Sequence, residues 1–115
     1  MRAAILLLFA TALAHAGSFF VHYEVTPAVD FAHLTPAQMG VFQQHGAYLM
    51  KLRDSGVLLV AGRMLQDPKH AHAIAVFNAE NEAAAREIAA TDPAVHAGLM
   101  KVTVEPIELL TPAAK

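Results

Sequence analysis

Seven histidines are spread through a chain without cysteine, and one of them stands where a purely structural residue would not. His45 opens the stretch His45-Gly-Ala-Tyr-Leu-Met-Lys-Leu-Arg-Asp-Ser-Gly56, which reads as a helix, and it falls inside the apolar stripe of Val41, Phe42, Leu49 and Leu52. Imidazole is the side chain that takes and gives protons near neutral pH, and here it replaces a residue that would pack better. Either a buried partner satisfies the ring or the ring moves protons. No nucleophile accompanies it: there is no cysteine, and no serine or threonine sits in an activated context. Proton transfer on a small organic molecule (isomerisation, elimination or lactone chemistry) is therefore favoured over hydrolysis through a covalent intermediate.

Other polar residues have two readings each. Arg63 has the planar fork that grips a substrate carboxylate, or it is a solvated charge beside the Asp67 turn. Tyr48, one turn from His45, either lines the same pocket as a substrate contact or belongs to the core. His22 and Tyr23 point to opposite faces of one strand, so at most one of them reaches a given site. His70-x-His72 places two imidazoles on one strand face with His22 across the sheet. Such a pair binds zinc, copper or nickel weakly, but no carboxylate or thiolate completes a tight site, so no metal is assigned. Met39, Met50, Met64 and Met100 read as gap-filling core residues. No cofactor-binding motif is present.

Residues 1–16 read as a secretory signal peptide. Arg2 supplies the positive start, Ala3–Leu13 the apolar run, and Ala14-His15-Ala16 a small-x-small cleavage site. The run is short for a bilayer span, which takes about 20 apolar residues, so a periplasmic or secreted protein with no stable membrane insertion is expected. Residues 17–115 then form one domain. The formal net charge of the chain is −2, and no basic run argues for nucleic acid. A small exported domain without disulfides is held by packing, and pairing with a second copy would help it.

The elements that must position these residues follow a β-α-β-β-α-β order. Phe19–Val25 alternates as a strand. Thr35-Pro36-Ala37-Gln38 starts a helix with a capping box, and Gly56 ends it. Val57–Met64 is a second strand, with Val57, Leu59 and Ala61 on one side and Leu58 and Val60 on the other. His70–Phe77 is a third strand. Asn78 caps a helix over Ala79–Thr91, Asp92-Pro93 closes it, Ala94–Leu99 connects, and Met100–Leu110 is the last strand. This order predicts an α+β, ferredoxin-like sandwich: a four-stranded antiparallel sheet with two helices on one face. A second strand apolar on both sides predicts that the open face is covered as well, by another copy of the chain in a homodimer.

The ordered set His45-x-x-Tyr48-Leu49, Gly56-x-Leu58-Leu59-x-Ala61-Gly62-x-Met64 and Asp92-Pro93-x-x-x-Ala97-Gly98-Leu99, with a closing strand that ends in Pro106, resembles the YciI-like (YCII-related) family. The resemblance covers residues 19–109. It implies the dimeric α+β barrel superfamily, whose relatives include muconolactone isomerase-like enzymes and small monooxygenases, and it implies a sheet-to-sheet dimer. It also implies a His-Asp dyad in a pocket, which falls on His45 and Asp92. Both would lie on the helix-covered face of the sheet, so contact is feasible. The carboxylate would fix the imidazole tautomer and leave the other ring nitrogen to handle protons. Asp92-Pro93 equally fits an ordinary helix cap followed by proline. Two departures stand out: Gly62-Arg63 replaces the family's frequent Gly-Pro, and a signal peptide precedes the domain. The leading expectation is an exported proton-transfer enzyme acting on a small molecule, with His45 and Asp92 catalytic and Arg63 and Tyr48 binding substrate. The alternatives are a non-catalytic periplasmic module for a small ligand or a metal, and an accessory subunit.

Overall fold

In the computed structural model, which describes residues 17–111, the sheet order is β2-β3-β1-β4 with every pairing antiparallel. The strands are β1 (Gly17–Val25), β2 (Leu58–Arg63), β3 (His72–Ala79) and β4 (Met100–Ile107). The helices are α1 (Pro36–Asp54), α2 (Glu82–Ala90) and a single turn, α3 (Pro93–His96). The molecule is thus the ferredoxin-like α+β sandwich that the element order predicts. The expected signal peptide lies outside the described residues. Among those residues no helix is long and apolar enough to cross a membrane.

Alternation in the central strand β1 sets the two faces. Phe19, Val21, Tyr23 and Val25 are all buried beneath the helices. The register carries that face across to Phe77 and Ala75 on β3 and to Val104 and Met100 on β4, all of them buried. Helix α2 meets this layer through Ala85 and Ala89, both fully buried; methyl side chains let the helix axis come close to the sheet.

The start of α1 is formed as its residues dictate. Thr35 Oγ1 accepts from the Gln38 N–H at 3.1 Å, the Gln38 side chain accepts from the Thr35 N–H at 3.0 Å, and Pro36 occupies the first turn. Gly56 ends the helix at φ 85°, a left-handed conformation that side chains with a Cβ disfavour.

Three expectations need correction. Strand two does not alternate simply: Leu58 pairs with Phe77 and Val60 with Val76, so Leu59 is the extra residue of a β-bulge. The bulge puts Leu58 and Ala61 on the same, helix-covered face and leaves Leu59 and Val60 43% and 55% exposed. The second long helix is capped by Asn81, whose side chain accepts from the Ala84 N–H at 2.8 Å, and not by Asn78, because β3 runs on to Ala79 to pair with Gly17. Strand three begins at His72, leaving His70 in the preceding bend. There the Asp67 side chain accepts from the Lys69 and His70 N–H groups at 3.1 and 3.2 Å, which holds a turn in place of a strand.

Candidate active site

Asp92 ends the α2 segment and begins α3. Its Oδ1 accepts from the Ala94 N–H at 2.9 Å, capping the single turn that Pro93 starts. Its Oδ2 accepts from His45 Nδ1 at 2.6 Å. The carboxylate is fully buried, while the His45 side chain remains 15% exposed. A buried carboxylate without partners would be costly, and these two donors satisfy it. A carboxylate only accepts, so a proton sits on His45 Nδ1; in the neutral ring Nε2 then carries the lone pair, and it has no protein partner among the described residues.

His45 opens onto a cavity of about 480 Å3, within the size range of small-molecule sites. An aromatic wall runs along it. The Tyr23 ring meets His45 edge-on at 5.6 Å, Phe42 meets His45 at 6.4 Å, and Phe31 meets Phe42 at 5.2 Å. At the far end the Arg63 guanidinium lies over the Phe31 ring, 5.7 Å from its centroid. Arg63 has no carboxylate partner among the described residues and lines the cavity. The site is therefore an apolar slot with an acid-base group in one wall and a free cation at its mouth.

Tyr48 goes elsewhere than expected. Its hydroxyl donates to the Ile88 carbonyl at 2.7 Å, tying α1 to α2, and its ring is not part of the cavity wall. One turn of helix rotates it from the face His45 uses toward the neighbouring helix. Its phenol is pushed up by burial and by the nearby Asp92 carboxylate. Of His22 and Tyr23, which the alternation sets on opposite faces, Tyr23 is the one that reaches the site. It is 1% exposed and its hydroxyl has no partner among the described residues; burial, and then Asp92, push its ionisation far above the ordinary phenol value. Phe31 comes from the Thr26–Leu34 loop, where its N–H donates to the Lys69 carbonyl at 3.2 Å. No local pattern in that loop singles Phe31 out for the site.

Of the other described histidines, only His72 borders this cavity. His22 and His72 meet on the opposite face of the sheet, Nε2 to Nδ1 at 3.2 Å. His33 and His70 pair locally with Asp30 and Asp67. No three His, Asp or Glu side chains among the described residues converge on a common point.

One similar solved structure is the 5-chloro-2-hydroxyhydroquinone dehydrochlorinase of Burkholderia phenoliruptrix in complex with 2,5-dihydroxybenzoquinone. The match has a TM-score of 0.55 and 17% identity, covering 79% of this chain and 93% of that one. Another is SnoaB, a cofactor-independent oxygenase of Streptomyces nogalater, with a TM-score of 0.45 and 18% identity over 85% of this chain and 97% of that one. Among curated proteins none matches the sequence. The family model of the YCII-related domain matches residues 18–108, nearly the whole of the sheet and helices described above, and the chain belongs to that family.

Proposed function

We propose that this protein is an exported, homodimeric enzyme that moves a proton on a small anionic organic molecule. The observation that carries this reading is the 2.6 Å contact between His45 Nδ1 and the fully buried Asp92, at the wall of a cavity with an unpaired arginine. His45 Nε2 takes a proton from a carbon next to a carbonyl, and the electron pair left behind delocalises onto the carbonyl oxygen. Asp92 stabilises the imidazolium that forms. Return of the proton to a different carbon gives isomerisation; departure of a leaving group gives elimination. Arg63 holds the anionic end of the substrate, and the aromatic wall excludes water from the reacting end. The dehydrochlorinase similar in fold adds support, since its bound 2,5-dihydroxybenzoquinone is a small enolic ring of the kind such a slot suits.

The test is solvent-deuterium exchange followed by proton NMR, with a panel of small keto acids, unsaturated lactones and 2,5-dihydroxybenzoquinone analogues. Exchange at a carbon acid is expected with the wild type and about 100-fold to 10,000-fold less with His45→Gln. Asp92→Asn keeps an acceptor for the Ala94 N–H and is expected to lose exchange with the fold intact. Exchange that survives His45→Gln unchanged, or binding without exchange across the panel, would leave a binding module instead. Export is tested by cell fractionation of the full chain, expected in the periplasm or medium and shortened by the leader.

A further inference from the structure

The helix-free face of the sheet holds a second cavity, of about 280 Å3, bordered by three imidazoles: His22, His70 and His72, with Asp67 and Met64 beside them. The proton-transfer site uses none of these side chains. We propose that they form a binding site for a divalent d-block cation, zinc foremost, with His22, His72 and His70 as ligands and Asp67 orienting His70.

The first argument is spacing. His22 Nε2 and His72 Nδ1 are 3.2 Å apart, with ring centroids at 5.2 Å and planes inclined by 30°. Two imidazole nitrogens bound to one tetrahedral zinc ion, each at about 2.0–2.1 Å, stand about 3.3 Å from one another. The pair thus already has the bite of a single ion. Without metal, one N–H lies between the two nitrogens. Moving that proton to the other nitrogen of the same ring turns both lone pairs toward the gap, with no change in net charge.

The second argument is the placement of the third ring. His70 precedes His72 by two residues and borders the same cavity from the adjoining turn. Its Nδ1 lies 3.2 Å from Asp67 Oδ2, which leaves Nε2 as the free nitrogen. A carboxylate behind one imidazole nitrogen is the arrangement that orients metal-bound histidines. The His70 side chain is 60% exposed and sits in a turn, so it can swing toward the pair. In the conformation described the three do not yet converge: the site is a preset pair plus one mobile arm, and water completes the coordination. The donor set of imidazoles with a thioether near by suits zinc, copper or nickel rather than magnesium or calcium.

The experiment is calorimetric titration of the untagged full chain with zinc chloride, together with electron paramagnetic resonance of the copper(II)-loaded protein. One ion per chain in the micromolar range is expected, and copper is expected to show nitrogen couplings from at least two imidazoles. His22→Gln, His72→Gln and His70→Gln should each weaken zinc binding at least about tenfold, while His96→Ala, on α3, leaves it unchanged. Circular dichroism checks that each variant folds, and the copper spectrum of the wild type stands whether or not they do. Absence of binding at about 100 µM zinc, a copper spectrum without imidazole nitrogens, or wild-type affinity in any of the three glutamine variants overturns the three-histidine site.

Discussion

At the scale of single residues, Tyr23 and Tyr48 show how near neighbours on the sheet and helix divide their work. Tyr23 is held neutral by burial and by Asp92. Its folded ionisation lies above that of the unfolded chain, taken as 10.0. The stability it contributes is therefore complete below pH 10 and drains as pH rises further, because the unfolded chain releases the proton first. Urea denaturation followed from pH 8 to 11 is expected to show a falling free energy above pH 10, with a smaller fall in Tyr23→Phe. Tyr48→Phe removes the bond to the Ile88 carbonyl and is expected to cost about 0.5–1.5 kcal/mol in denaturation while leaving ligand affinity unchanged. An equal loss of ligand affinity would put Tyr48 back in the site. The sequence pointed to His45 because an imidazole interrupted an apolar stripe. It could not separate Tyr23 from Tyr48, because their roles depend on which way each hydroxyl points once α1 and α2 have packed.

At the scale of elements, strand β2 was the least legible. Its run of apolar residues has no polar alternation to set a register, and only the pairing with β3 reveals Leu59 as the inserted residue. Helix α1 was legible to within a residue, since the capping box and Gly56 are local signals that tertiary packing did not override. The cap of α2 was missed by three positions because Asn78 and Asn81 are equally good acceptors, and the length of β3 decided between them. Asn81→Ala is accordingly expected to lower stability by about 1 kcal/mol, whereas Asn78→Ala, at an exposed position, is expected to change it by less than about 0.5 kcal/mol. Chemical denaturation of the two variants side by side checks the assignment.

For the whole molecule, the face of the sheet without helices carries a row made by Val60, Val76 and Phe20 in register across β2, β3 and β1. Val60 is more than half exposed and sits on an edge strand, a liability that a second copy of the chain would remove. The proposed homodimer is expected to elute and scatter light as twice the chain mass, and Val60→Lys to shift it toward the monomer. A wild type that is monomeric at about 100 µM would remove the dimer from the functional reading. The fold was legible as an order of elements because amphipathic alternation in β1 and the two cap signals agree with each other. The cavity was not, because its wall is assembled from β1, α1, β2 and the Thr26–Leu34 loop, whose mutual approach no local pattern encodes.

Asp92 both caps the α3 turn and holds the His45 ring, and it lies 47 residues from His45 along the chain. The site therefore closes only once α1 has met the α2–α3 segment. Helix α1 can form from its own caps, but His45 has no carboxylate to meet until α2 and α3 have docked. Closing so large a loop is entropically slow relative to helix formation. In refolding, far-ultraviolet dichroism is expected to recover before ligand binding does. A chain that stops before Asp92 would carry the histidine without the carboxylate that orients it.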